Sequence, residues 1–234
     1  MTITHEQQKQ KWNREHENPF ALKQMDATKA SSSLLPFVDF LQNKEKQNLV
    51  GLEMGCGKGR NVIWFAQQSL VSKMYGFDFS GEAIIEANRR AVEANVLAKV
   101  CFETMDAIEI WRYPSDMFDF VIDCTASTDI EDIKGRQFAV SETHRVLIAG
   151  GYLLVYVMST DDEYHKMMIE KSPAEEKNAF IHPETGKFEK VFSEEELDSA
   201  YKNFKLIEAR RIEKTAEFFG KSYYCKHHWR IYQK

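Results

Sequence analysis

Three closely spaced glycines follow a short apolar run in the segment LEMGCGKGRN, residues 52–61. Glycine has no Cβ, so a loop rich in glycine can bring its main-chain groups close to a ligand. An acidic residue, Glu53, stands two positions before the first of these glycines. The segment therefore predicts a ligand-binding turn between a strand and a helix, with a carboxylate beside it.

The spacing of the glycines decides between two kinds of ligand. The dinucleotide pattern is G-x-G-x-x-G, whose third small residue lets helix and strand pack closely, but that third position is Arg60 here. A dinucleotide also brings a pyrophosphate to the helix N-terminus, where a neighbouring acid is unfavourable. S-adenosylmethionine (SAM) carries a sulfonium and an ammonium instead, and Glu53 suits both cations. A purely structural turn is the remaining interpretation.

The pattern acid-x-G-x-G-x-G is met at every fixed position, by Glu53, Gly55, Gly57 and Gly59. In this segment and the elements around it, residues 48–158 resemble the class I SAM-dependent methyltransferases. The resemblance implies that the loop and the start of the next helix hold SAM, with Cys56 and Asn61 among the contacts.

Two further acids follow the second and third predicted strands. Asp78 can accept both hydroxyls of a ribose, or it can simply cap the next helix. NAD enzymes also use an acid there, so Asp106 separates the two cofactors better. The resemblance implies that Asp106 binds the adenine amino group and that the main-chain N–H of Ala107 meets a ring nitrogen. It adds Phe79 and Asp123 to the cofactor contacts.

Strand and helix patterns alternate after residue 48. Five runs that are apolar on both faces predict buried parallel strands, at residues 48–55, 73–79, 99–105, 118–126 and 150–158. Strands that alternate with helices predict a doubly wound α/β sheet. The resemblance implies a Rossmann-like sheet of seven strands with helices on both faces, mostly parallel, with one antiparallel strand at the C-terminus.

Two strand-like pieces close the chain, at residues 205–214 and 226–234. No connection of two to five residues joins them, but they could pair as a long antiparallel ribbon. Alternation along the last piece points His227 and His228 to opposite faces, which argues against a metal site formed by this pair.

We expect a single domain over residues 1–234, with a helical lid segment at 1–47 and a long insertion at 160–192. The lid resembles the N-terminal aromatic segment of small-molecule methyltransferases, which makes Trp12 and Phe20 candidates to cover the site; ordinary helix packing is the alternative. The insertion is rich in charge and too long for an ordinary connection. It is either a substrate cover or a solvated loop.

Methyl transfer from a sulfonium is an in-line displacement, so alignment and water exclusion matter more than a nucleophile. The resemblance implies that the residues after the fourth strand face the methyl group. Asp123 could polarise an acceptor there, and Cys124 and Thr125 could line its pocket. His165 and His182 are candidate bases, because an unperturbed histidine titrates near neutral pH.

Composition narrows the other possibilities. The net charge of −5 gives no reason to expect nucleic acid. Four scattered cysteines without CxxC spacing argue against a zinc site and a disulfide framework. The N-terminus has no apolar signal region and no stretch is long enough to span a membrane. We therefore expect a cytoplasmic monomer or homodimer with no metal.

The sequence thus predicts a SAM-dependent methyltransferase acting on an O, N or S atom of a small-molecule acceptor. A protein methyltransferase and a SAM-binding regulator without turnover are the alternatives. An NAD-dependent oxidoreductase is a third, against which Arg60 and Asp106 count.

Overall fold

The computed structural model describes residues 2–20, 22 and 29–234. Its strands are β1 Leu49–Met54, β2 Val71–Asp78, β3 Val100–Thr104, β4 Phe118–Cys124, β5 Leu147–Met158, β6 Ala179–Ile181, β7 Phe188–Lys190, β8 Lys205–Phe218 and β9 Lys221–Gln233. Seven of them form one sheet in the order β3-β2-β1-β4-β5-β9-β8. The first five strands are parallel, β9 runs against them, and β8 pairs antiparallel with β9. The predicted fold class is confirmed.

The helices are α1 His5–Glu17, α2 Leu34–Gln42, α3 Arg60–Ala66, α4 Gly81–Glu93, α5 Ile133–Val146, α6 Glu163–Lys171 and α7 Glu194–Ala200. Their starts follow local chemistry. The Ser80 hydroxyl accepts the Ala83 N–H at the start of α4, and Ser193 and Glu196 form the expected capping box at α7. No helix in the described part of the chain is long and apolar enough to cross a membrane.

Both faces of the sheet are buried, as the continuous apolar runs predict. Along β4, Phe120 and Ile122 join one core, while Val121 joins the core on the opposite face. Helices α2, α3 and α4 contribute to the first core, and α5 and α7 to the second. This two-sided cover fixes the register of the parallel strands, whose carboxyl ends all meet at one edge.

The two C-terminal strands form a single long hairpin, with pairing from Lys205 to Phe218. The antiparallel ribbon predicted from the sequence is confirmed. The prediction that no short connection joins its two strands is wrong. Phe219 and Gly220 join the strands directly, both with positive φ, as a two-residue hairpin turn requires. The predicted strands were shorter than the observed ones. The outer half of β8 is polar and largely exposed, so it shows no apolar alternation that would mark it as a strand.

The insertion at residues 160–192 has its own structure and is not a solvated loop. It contains α6 and the β6–β7 hairpin. Apolar side chains from it form a small core with the end of β5: Met158, Tyr164, Met168, Phe180 and Val191. The abundance of charge concealed these short elements. The lid segment at 1–47 is described as α1 and α2, while residues 1, 21 and 23–28 of it lie outside the described residues.

Candidate active site

A cavity of about 420 Å³ lies at the carboxyl ends of β1, β2 and β4. Helix α1 covers it with His5, Gln8, Trp12 and His16. Most of the residues predicted from sequence line it: Trp12, Glu53, Gly55, Cys56, Gly57, Asn61, Asp78, Phe79, Asp106, Ala107, Cys124 and Thr125. Strand ends thus bring residues that are distant in sequence to one place.

The three loop glycines have different roles. All adopt positive φ, +63°, +51° and +77° in chain order. A Cβ at Gly55 would lie 2.5 Å from the Ala126 Cβ, and one at Gly59 would lie 2.8 Å from the Phe102 ring, so these two are needed for packing. At Gly57 the nearest atom to a Cβ is His16 Cε1 at 3.7 Å. Gly57 therefore faces open space, where a ligand can approach the main chain.

Only one of the two oxygens of the buried Glu53 carboxylate has a hydrogen-bond partner among the described residues. It is 2% exposed, and its Oε1 accepts a 2.6 Å hydrogen bond from Asn61 Nδ2. Oε2 is buried and has no hydrogen-bond partner among the described residues. Burial raises the pKa of Glu53 to about 8. An oxygen of this kind suits a cationic ligand group, which would supply the missing donor and favour the charged carboxylate.

Asp78 ties the glycine loop to the end of β2. Its Oδ2 accepts the Gly57 N–H at 2.9 Å, and its Oδ1 accepts the Ser80 N–H at 2.9 Å. Burial raises its pKa to about 6. Each carboxylate oxygen still has acceptor capacity, so Asp78 can hold the loop and accept ligand hydroxyls together.

Asp106 is contacted by two residues of α1 that the sequence reasoning missed. His5 Nε2 lies 2.8 Å and Lys9 Nζ 3.0 Å from its Oδ2. Although burial favours the neutral form, these bonds lower the pKa of Asp106 to about 2. His5 also contacts Glu131 through Nδ1 at 3.0 Å, and its bonds to Asp106 and Glu131 raise its pKa to about 9. Helix α1 is thus fastened directly to the adenine side of the predicted site.

Trp12 and His16 cover the cavity beside the glycine loop, since a Cβ at Gly57 would lie 3.7 Å from His16 Cε1. Trp12 Nε1 and His16 Nδ1 are buried and find no hydrogen-bond partner among the residues described. Burial, with the nearby charges of Lys58 and Lys187, lowers the pKa of His16 to about 4, so its ring is neutral at pH 7. Asp129 lines the same cavity, and burial together with the Glu189 charge raises its pKa well above the usual range.

The insertion closes this part of the cavity through Gln8. The Gln8 amide accepts the Phe188 N–H at 2.9 Å and donates to the carbonyls of Phe188 at 3.0 Å and Asp129 at 2.8 Å. Lys187, also from the insertion, lies 3.5 Å above the Trp12 ring. Side chains of α1 are therefore held between the insertion and the residues that follow β4.

Several predicted residues lie elsewhere. Asp123 points to the opposite face of β4, where it accepts bonds from the Ser127 N–H at 3.1 Å and the Tyr201 hydroxyl at 3.4 Å. His165 is bonded to Asp162, and His182 to the Tyr164 hydroxyl; neither lines the cavity. Phe20 is 45% exposed and stacks on Phe219.

Comparison with known proteins agrees with this geometry. Residues 52–155 match the model of a family described as a methyltransferase domain. The 27-O-demethylrifamycin SV methyltransferase of Amycolatopsis mediterranei (strain S699) is 34% identical over 102 residues, which are 44% of this chain. The match spans only 36% of that relative's length.

Two solved structures share the fold. A SAM-dependent methyltransferase from Methanosarcina mazei superposes with a TM-score of 0.70 at 24% identity, over 83% of this chain and 96% of that one. The 1,6-didemethyltoxoflavin-N1-methyltransferase of Burkholderia thailandensis, with its substrate and S-adenosylhomocysteine bound, gives a TM-score of 0.67 at 14% identity, over 100% and 91% of the two chains.

The residues present fit SAM better than a dinucleotide. The unpartnered Glu53 oxygen suits a cation, and the open space at Gly57 admits a ligand close to the main chain. The family match, the sheet order and this donor set agree with a methyltransferase domain over residues 52–155 whose site fits SAM.

Proposed function

We propose that the protein transfers a methyl group from SAM to an O, N or S atom of a small molecule bound beneath Trp12 and His16. The observation that carries the proposal is the pair of unpartnered polar atoms, Trp12 Nε1 and His16 Nδ1, on the wall of the cavity. Two of the similar proteins are named as methyltransferases of small molecules, which supports an acceptor of this class.

The cofactor roles follow from the chemistry of each residue. Glu53 Oε2 receives the ammonium of SAM, and the main chain at Gly57 passes close to the cofactor. Asp78 accepts the ribose hydroxyls, and Asp106 with the Ala107 N–H receives the adenine. This orientation directs the sulfonium methyl toward the part of the cavity that Cys124 and Thr125 line, and His16 and Asp129 line the same cavity.

His16 has the properties of a residue that orients the acceptor. With its proton on Nε2, the neutral ring presents a free lone pair at Nδ1, which can accept a hydrogen bond from an acceptor O–H or N–H. An oxygen acceptor becomes strongly acidic once the methyl group is attached, so a base with a pKa near 4 can take the proton. Trp12 Nε1 donates to a second polar atom of the same molecule.

Water exclusion is the other contribution of this end. The Gln8 contacts hold α1 against the insertion, and Lys187 packs on Trp12. A closed, largely apolar pocket aligns the acceptor with the sulfonium and keeps competing water out.

The test is a turnover assay with SAM and a panel of phenols, aliphatic alcohols, N-heterocycles and thiols, detecting S-adenosylhomocysteine. We expect turnover with at least one class of acceptor, and a loss of about a hundredfold or more in kcat for His16→Gln. S-adenosylhomocysteine binding should remain near the wild-type affinity. His144→Gln is the matched control, because His144 packs on Phe204 and does not line the cavity.

Other results would indicate other functions. Tight SAM binding without turnover on any acceptor would favour a regulatory SAM-binding protein. Methylation of a protein side chain and of no small molecule would favour a protein methyltransferase. Full turnover by His16→Gln would remove His16 from the acceptor site.

A further inference from the structure

Three metal-ligating side chains meet beyond the carboxyl end of β5, apart from the cavity. Asp162 and His165 come from the start of α6, and His227 comes from β9. One ligand atom from each of the three lies within 4.8 Å of the other two. None of these residues lines the SAM cavity, and the methyl-transfer proposal uses none of them.

His227 has a buried ring nitrogen that no hydrogen bond satisfies among the described residues. Its Nδ1 is bonded to the Tyr156 hydroxyl, which fixes the orientation of the ring. Its Nε2 is buried and has no hydrogen-bond partner among the described residues. The nearest acid atom, Asp162 Oδ2, is 3.8 Å away, too far for a hydrogen bond. A buried polar atom without a partner costs stability, so an additional group at this point would relieve the cost.

The other two side chains are already held in place. Asp162 is fully buried; its Oδ1 accepts from the His165 N–H at 3.0 Å and contacts the His165 ring at 2.6 Å. Its Oδ2 accepts the Lys226 N–H at 2.7 Å. The Asp162 carboxylate is therefore oriented by main-chain bonds and the His227 ring by Tyr156, as ligands of metal sites are.

We propose that Asp162, His165 and His227 form a binding site for one divalent transition-metal ion, of which Zn²⁺ is the best match. Two imidazoles and a carboxylate are ligands that Zn²⁺ accepts, with a fourth position left for water. Ligand atoms around a tetrahedral zinc lie about 3.4 Å apart, given bonds of about 2.0–2.1 Å. Metal binding therefore separates Asp162 Oδ1 from His165 Nδ1, which are 2.6 Å apart, and brings His227 Nε2 closer to Asp162 Oδ2, from which it lies 3.8 Å away.

The protons and tautomers are consistent with this assignment. His227 offers the Nε2 lone pair while its Nδ1–H donates to Tyr156, a partner arrangement that is usual for metal-bound histidine. To bind the metal through Nδ1, His165 gives up its hydrogen bond to Asp162 Oδ1 and carries the single proton of its neutral ring on Nε2.

Such an ion would join the insertion to the sheet. Helix α6 belongs to the insertion, whereas β9 pairs with β5 in the seven-stranded sheet. A search of the sequence for closely spaced ligand motifs such as CxxC or CxxH cannot detect this site, because its ligands come from two elements that are far apart in the sequence.

The test uses untagged full-length protein freed of metal with a chelator and then titrated with Zn²⁺ or Co²⁺ alone. We expect one ion per chain, a Zn²⁺-dependent rise in the thermal midpoint, and visible absorption bands from a Co²⁺ complex of low coordination number. His227→Gln and His165→Gln should each weaken binding by more than the roughly 10- to 100-fold that loss of an outer partner costs.

The control is His228→Gln, because His228 is the next residue on β9 but faces the other way and contacts the Phe192 carbonyl. It should bind Zn²⁺ as the wild type does. The proposal is overturned if the metal-free wild type shows neither a Zn²⁺-dependent shift nor Co²⁺ bands. It is equally overturned if both ligand variants bind as tightly as the wild type, since the cluster would then be a hydrogen-bonded helix cap.

Discussion

The two ends of the cavity are built in different ways. The cofactor end consists of residues at the ends of β1, β2 and β3, whose positions follow from the parallel sheet itself. The acceptor end is assembled by helix α1 and the insertion, which meet across Gln8 and Lys187. A sheet edge gives a fixed frame, whereas a helix packed on an insertion can change without disturbing that frame. The residues proposed to bind the cofactor lie on the sheet edge. The residues proposed to select the acceptor lie on helix α1, which the insertion holds.

The largest effect should come from the cofactor end. Gly57→Val places a branched side chain in the space where SAM approaches, at a φ of +51° that L-residues rarely adopt. We expect SAM affinity to fall by more than a hundredfold in calorimetry, and turnover to fall with it. Gly81→Ala is the control, because its Cβ would lie 4.0 Å from the nearest neighbouring atom, Thr104 Oγ1. Wild-type affinity in a folded Gly57→Val protein would show that the loop does not contact the cofactor.

A smaller effect, confined to the other end, should follow from Gln8→Met. Methionine keeps the length of the side chain but loses the three bonds to Phe188 and Asp129. The acceptor would be aligned less well, so we expect kcat to fall by about tenfold, given that small misplacements are costly in rate. The SAM dissociation constant should stay near that of the wild type. An equal loss of SAM affinity would mean that the two ends are not independent.

The smallest effect concerns the contact of α1 with the cofactor end. The folded-state pKa of His5, about 9, is above its ordinary value of 6.5. Its contribution to stability is therefore complete below about pH 6.5 and is lost as pH rises through 9. We expect His5→Gln to lower the thermal midpoint by a few degrees at pH 6 and by nothing at pH 10. A pH-independent difference would show that the charge of His5 is not involved.

The difference between the sheet edge and the packed helix α1 also explains which residues could be predicted from the sequence. Glu53, Gly57, Asp78 and Asp106 could be singled out because each lies within three residues of the carboxyl end of a strand, so local pattern specifies the location. The contacts from α1 were missed because they depend on how that helix packs. A signal was present: His5, Lys9, Trp12 and His16 are spaced as one face of a helix.

The remaining misses have a similar origin. Strand alternation, applied to Asp123, would have separated it from the cavity, since its neighbours Ile122 and Cys124 both face the core on the opposite side of the sheet. The insertion was difficult because β6 and β7 have only three residues each, too few to show a period. Its buried polar residues, among them Lys187 and Lys190, are paired within the fold and look solvated in a linear sequence.

The unpartnered oxygen of the Glu53 carboxylate links SAM binding to the release of a proton. With a pKa of about 8, Glu53 is mostly protonated at pH 7 when no ligand is bound. In the role proposed for it, Glu53 must be charged to hold the ammonium of SAM, and that ammonium lowers the pKa of Glu53. Cofactor uptake near neutrality thus expels up to one proton into the solvent. The heat of binding then depends on the ionisation enthalpy of the buffer, and apparent SAM affinity increases with pH until Glu53 is ionised in the free protein.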